Sequence, residues 1–151
     1  MAIIRGDNSS NTISATGPND TIFGLSGFDV LSSTFERADL RGGWGQDSLS
    51  VDYSYLIDWS VIDLNTYSLL PFPLMRWALF GDQGNDTLSV ATTIGTDPSA
   101  SMWFDLDSVF PTTDVILDGG AGDDTLNIVS QVYLDGFGNL GTNGPLSNAV
   151  V

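Results

Sequence analysis

Aliphatic residues recur along the first third of the chain at an interval of nine: Ile4, Ile13, Ile22, Leu31, Leu40 and Leu49. From Gly6 the sequence divides without a gap into five nonapeptides: GDNSSNTIS (6–14), ATGPNDTIF (15–23), GLSGFDVLS (24–32), STFERADLR (33–41) and GGWGQDSLS (42–50). The aliphatic residue is the eighth of each unit, and the sixth is Asn11, Asp20, Asp29, Ala38 and Asp47. A fixed repeat of this kind marks a stacked array, in which each unit buries its apolar residue against the next. Each unit predicts a strand of about three residues, its central side chain inward and its flanking pair outward. Six turn residues rich in Gly, Asn and Asp then reverse the chain. Two units make one coil, so turns 18 residues apart lie above one another, 6–11, 24–29 and 42–47 on one edge and 15–20 and 33–38 on the other. The fold class predicted is all-β, a parallel β-roll or β-helix.

Two further units stand out of step with the first five. GDQGNDTLS occupies 81–89 and GGAGDDTLN occupies 119–127, which puts Asp86 and Asp124 sixth and Leu88 and Leu126 eighth. Turn starts at 42, 81 and 119 are 39 and 38 residues apart, so the short coils widen into coils about twice as long. The stretches between, 51–80 and 90–118, alternate as strands do, for example Leu49, Val51, Tyr53 and Tyr55. They are expected to add strands that widen the coil. Each ends in an apolar run, Ala78-Leu79-Phe80 or Val115-Ile116-Leu117, leading into the next glycine turn. Trp59, Trp77 and Trp103 lie here, and are read as core of the wide coils or as an exposed surface for sugar rings or a neighbouring subunit. Pro71-Phe72-Pro73 reads as an exposed loop, and 135–139 as a hairpin or degenerate turn. The expectation is one domain over 1–151: short coils at 1–50, long coils at 51–127 and a cap at 128–151.

Charge adds chemistry to this pattern. The 151 residues carry four arginines, no lysine, no histidine and no cysteine, against 18 Asp and one Glu, for a net charge of −15. Phosphate binding needs clustered Lys and Arg, so nucleic acid and anionic membranes are poor partners. Histidine–cysteine zinc sites, thiol nucleophiles and Ser-His-Asp triads have no residues to build them. The preference for Asp favours a short carboxylate held close to the backbone of tight turns, which suits an oxygen-ligated divalent cation.

Gly42-Gly43-Trp44-Gly45-Gln46-Asp47-Ser48-Leu49 and Gly119-Gly120-Ala121-Gly122-Asp123-Asp124-Thr125-Leu126 match the pattern G-G-x-G-x-D-x-U-x in full. The turns from Gly81 and Gly24 miss only the second glycine. These units resemble the hemolysin-type calcium-binding repeat of the RTX family. The resemblance implies Ca2+ between successive stacked turns, held by backbone carbonyls and by the sixth-position carboxylate. On that basis the ligating turns contain Gly24, Gly27 and Asp29, then Gly42, Gly45 and Asp47. Gly81, Gly84 and Asp86, then Gly119, Gly122 and Asp124, would continue the same edge, with Asn11 a weaker contributor. The opposite edge pairs Asp20 with Ala38 and is expected to bind poorly or not at all.

The function implied is a non-enzymatic, calcium-binding structural module that folds or stiffens at extracellular calcium. A self-assembling subunit of a calcium-dependent surface layer, sheath or filament is the alternative. Expected partners are calcium ions, with copies of the chain or extracellular glycan beyond them, and neither nucleic acid nor membrane insertion is expected. The N-terminus shows no apolar stretch long enough for a cleaved signal. The resemblance implies an extracellular or cell-surface location reached by type I secretion.

Overall fold

The computed structural model describes residues 1–57, 74–96, 113–133 and 148–150. Their eleven strands are β1 (Ile3–Arg5), β2 (Thr12–Ser14), β3 (Asp20–Ser26), β4 (Val30–Ser33), β5 (Arg37–Trp44), β6 (Ser48–Ile57), β7 (Met75–Gln83), β8 (Thr87–Thr96), β9 (Thr113–Asp118), β10 (Thr125–Tyr133) and β11 (Asn148–Val150). Odd-numbered strands form one parallel sheet, in the order β1-β3-β5-β7-β9-β11, and even-numbered strands form the other, β10-β8-β6-β4-β2. The chain therefore winds from one sheet to the other and back, gaining one strand per sheet at each coil. This is the predicted parallel β-roll.

The nine-residue aliphatic spacing becomes two ladders. Ile4, Ile22, Leu40, Leu79 and Leu117 stand in register across the first sheet. Ile13, Leu31, Leu49, Leu88 and Leu126 do so across the second. Ile22, Leu31, Leu40, Leu49, Leu79 and Leu88 are completely buried, and Leu117 nearly so. Ile4, Ile13 and Leu126 are only partly buried, because an outer coil has a neighbour on one side alone. Each full burial of this kind stabilises the fold by about 1.5–3 kcal/mol.

Among the described residues, widening comes from lengthening of the strands. β2 has three residues and β4 four, whereas β6 and β8 have ten each. The extra width is filled by a second inward layer in which Ala38, Trp77 and Val115 face Val51 and Val90. Trp77 is fully buried and donates its indole N–H to the Phe35 carbonyl at 2.8 Å, so it serves as core. Tyr53 packs on it with ring centroids 5.7 Å apart. Trp59, Trp103, Pro71-Phe72-Pro73 and the 135–139 segment lie outside the described residues, as do any strands added within 58–73 and 97–112. In the chain order, both stretches follow a strand of the second sheet and precede the next strand of the first. The edge carrying the glycine turns is uninterrupted.

Candidate metal centre

Five turns connect the first sheet to the second along that edge: 6–11, 24–29, 42–47, 81–86 and 119–124. Their stacking is fixed by the flanking ladders, since Leu49 pairs with Leu88 and Leu88 with Leu126 despite the long stretches between. Glycine is required at two places in each matched turn. The fourth position has positive φ (Gly27 122°, Gly45 139°, Gly84 147°, Gly122 147°). A β-carbon on Gly45 would collide with the Gly27 carbonyl, and one on Gly84 with that of Gly45. The first position is the floor under the carboxylate: a β-carbon on Gly24, Gly42, Gly81 or Gly119 would meet Oδ2 of Asp29, Asp47, Asp86 or Asp124 respectively.

The sixth-position side chains form a continuous file. Asn11 N–H donates to Asp29 Oδ1 (2.7 Å), Asp29 N–H to Asp47 Oδ1 (2.8 Å), Asp47 N–H to Asp86 Oδ1 (2.7 Å) and Asp86 N–H to Asp124 Oδ1 (2.9 Å). One oxygen of each carboxylate is thus used to hold the preceding turn. The other is left over. Oδ2 of Asp29, Asp47 and Asp86 is buried with no hydrogen-bond partner, in residues 1%, 3% and 1% exposed. A β-carbon placed on Gly24 would also lie 2.6 Å from the Gly42 carbonyl oxygen, and one on Gly81 2.5 Å from that of Gly119. Orphaned carboxylate oxygen and neighbouring carbonyl oxygen therefore converge on space that glycine leaves clear.

A buried carboxylate oxygen without a partner is costly, and the protein must pair it with a cation or protonate it. The electrostatics express this tension. Burial pushes Asp47 up to about 6, helped by the charges of Asp86, Asp29 and Asp82 and opposed by the Asp29 N–H. Asp86 is raised for the same leading reason, with Asp124 and Asp82 adding to it. The donor set is all oxygen, which fits a hard divalent cation such as calcium. Among the described residues no three acidic side chains converge on one point, so carbonyls and water would complete any coordination sphere.

Asp20, on the opposite edge, shows what a fully satisfied turn aspartate looks like. Its Oδ1 accepts the Ala2 N–H at 2.6 Å and lies 3.8 Å from the N-terminal ammonium. Its Oδ2 accepts from Thr16 N–H (3.0 Å), Thr16 Oγ1 (2.9 Å) and Gly17 N–H (2.9 Å). Burial raises its carboxyl, but these donors outweigh burial and hold it below the usual range. No oxygen is left for a cation. Asn11 is similarly engaged, its Oδ1 accepting the Asp7 N–H at 2.8 Å. It closes the file at the N-terminal end without adding a free oxygen.

Two features of this edge escaped the sequence reading. Asp82 stands where the pattern asks for a second glycine and keeps the glycine conformation, with φ of 72° beside 108° at Gly43 and 86° at Gly120. Its charge acts on both Asp47 and Asp86. The signal was the mismatch itself, an aspartate in a glycine slot. The second is aromatic: Phe28 and Trp44, in the turns at 24–29 and 42–47, are 63% and 70% exposed.

Comparison with protein families matches the RTX calcium-binding nonapeptide repeat in four copies, over residues 3–32, 78–89 and 114–127. The matched spans take in the turns at 6–11, 15–20, 24–29, 81–86 and 119–124, and strand register brings the turn at 42–47 into the same file. No curated relative and no solved structure matches the chain.

Proposed function

We propose, for a chain that carries RTX calcium-binding nonapeptide repeats, a non-catalytic structural module that binds calcium along one edge of its β-roll and is stiffened by it. The observation that carries this reading is the file of buried, unpartnered Oδ2 atoms at Asp29, Asp47 and Asp86. The four gaps between successive turns, Asn11/Asp29, Asp29/Asp47, Asp47/Asp86 and Asp86/Asp124, are the proposed sites, with the turn glycines supplying carbonyls. Asp29, Asp47, Asp86 and Asp124 hold the ion, and their Oδ1 bonds transmit its position to the preceding coil. Bound calcium would supply positive charge where the fold has buried negative charge, so binding free energy becomes folding free energy. The reading includes a single domain across 1–151 and a secreted or cell-surface location.

Calcium titration followed by circular dichroism and calorimetry, with magnesium as control, tests it. Expected is a gain of β-structure or of melting temperature with calcium and little with magnesium, whose stricter octahedral geometry suits these turns badly. An unchanged melting temperature after chelator dialysis would contradict it.

One observation favours the second reading, an assembling subunit. All four cations of the chain, Arg5, Arg37, Arg41 and Arg76, stand on the outer face of the first sheet. Arg5 lies over Phe23 and Arg41 over Phe80, at 4.8 and 4.3 Å from the ring centroids. The same face carries Asp39, Asp114 and Asp118, so it bears both charges and can pair with its counterpart on another copy. Light scattering that grows with calcium, and is suppressed by salt, would select this reading over an isolated module.

A further inference from the structure

The exposed tryptophan of the glycine turn at 42–47 marks a surface that calcium binding does not explain. Trp44 is the third residue of its turn, and its counterparts in the stack are Ser26, Gln83 and Ala121. The fold therefore does not need an aromatic there, yet it holds one 70% exposed. Together with Asp82, Gln83 and Asp118, and with the bare backbone of Gly43 and Gly120, Trp44 lines an open concavity of about 630 Å³. The floor is rigid. Gly27 N–H donates to the Trp44 carbonyl (2.8 Å), Gly45 N–H to that of Gln83 (2.8 Å) and Ala121 N–H to that of Asp82 (2.8 Å). Asp118 is oriented by accepting the Gly120 N–H at 3.1 Å. Asp82 keeps a left-handed conformation that glycine would adopt without strain. Its side chain is carried at a cost to the backbone, as is that of Leu25 (φ 85°) in the same column of the stack.

We propose that this concavity is a subsite for a neutral pyranose sugar, presented as part of an oligosaccharide. An indole face carries negative quadrupole charge and suits the weakly positive C–H face of a pyranose ring. The carboxylates of Asp82 and Asp118 accept from sugar hydroxyls, and the Gln83 amide both donates and accepts. No arginine lines the concavity, and its two carboxylates repel uronates, sulfated sugars and phosphates. A protein partner fits less well, because interface cores are depleted of aspartate whereas these walls are built from it. The inference goes beyond calcium binding, since backbone ladders and not a metal shape the concavity.

The test is calorimetry on the whole chain in calcium-saturated buffer, with the pentasaccharides of maltose, cellobiose, chitobiose and mannose units and a polygalacturonate pentamer as anionic control. At least one neutral probe should bind with a dissociation constant below about 10 mM. Trp44→Ala should weaken that binding by about tenfold or more, and Trp44→Phe by only a few-fold. Trp44→Ser, which copies position 26, guards against a folding artefact, and its circular dichroism should match the parent. Asp82→Gly should lower sugar affinity without lowering the melting temperature, a split that a merely structural role would not give. Failure of every neutral probe, equal binding by Trp44→Ala, or preference for the anionic pentamer would overturn the proposal. So would a sedimentation change caused by Trp44→Ala, which would assign the surface to a second copy. Calcium binding by these variants is measured in the same samples, so loss of the sugar site is distinguishable from loss of the metal sites.

Discussion

Asp47 and Asp20 are both buried turn aspartates, separated by what their second oxygen touches. Asp47 Oδ2 has no partner, and Asp20 Oδ2 has three donors. Asp47→Asn should therefore weaken calcium binding by about 10–100-fold in calorimetry, acting on the gaps above and below it. Asp20→Asn should lower the melting temperature equally in calcium and in chelator and leave the calcium stoichiometry unchanged. Loss of calcium binding in Asp20→Asn would refute the one-edge assignment. The raised carboxyl of Asp47 sets a pH dependence. A group whose folded value lies above its unfolded one contributes stability that is present at acid pH and lost as pH rises through the folded value. Without calcium, the melting temperature should fall as pH rises through about 6. Calcium affinity should move the other way, weakening as pH falls through that range, because protons and the ion compete for the same oxygen. Thermal melts at a series of pH values, with and without chelator, check both signs. The sequence showed Asp47 and its spacing plainly, but it could not show which oxygen is free. That depends on N–H groups 18 to 39 residues away.

At the scale of strands and turns, the nine-residue spacing was enough to place both aliphatic ladders and the stacking of the short coils. The hydrophobic repeat is local and each unit repeats its neighbour, so register follows from counting. Across 51–80 and 90–118 counting fails, because nothing local says where a long excursion returns. The spacing nevertheless resumes at Leu79–Leu88 and Leu117–Leu126, and register carries the turn at 81–86 onto the turn at 42–47. The added width was expected as extra strands, and in the described residues it is longer strands, since Val51, Tyr53 and Val90 continue the inward alternation. Leu49→Ala removes a fully buried rung that touches coils on both sides and should cost about 2–5 kcal/mol in urea unfolding. Gly45→Ala forces a β-carbon into the Gly27 carbonyl at a φ of 139°. It should cost about 1–2 kcal/mol or more and loosen the turn edge before the strands, visible as early hydrogen exchange at 42–47.

For the molecule as a whole, the composition and the architecture describe one arrangement. Nineteen acids against four arginines leave a net charge of −15, and the arginines are gathered on one outer sheet face. The turn edge therefore has no cationic side chain of its own to offset its carboxylate file. Four divalent ions in the four gaps would remove about half of the net charge and the repulsion between successive coils. High salt alone should give only part of this stabilisation, because screening reaches exposed charges better than buried ones. The most direct measurement is long-wavelength anomalous diffraction from crystals of the chain grown in calcium. Anomalous peaks are expected in the four gaps between successive turns, strongest beside Oδ2 of Asp29, Asp47 and Asp86, and none at Asp20. A turn edge without peaks at saturating calcium, or peaks on the Asp20 edge instead, would contradict it.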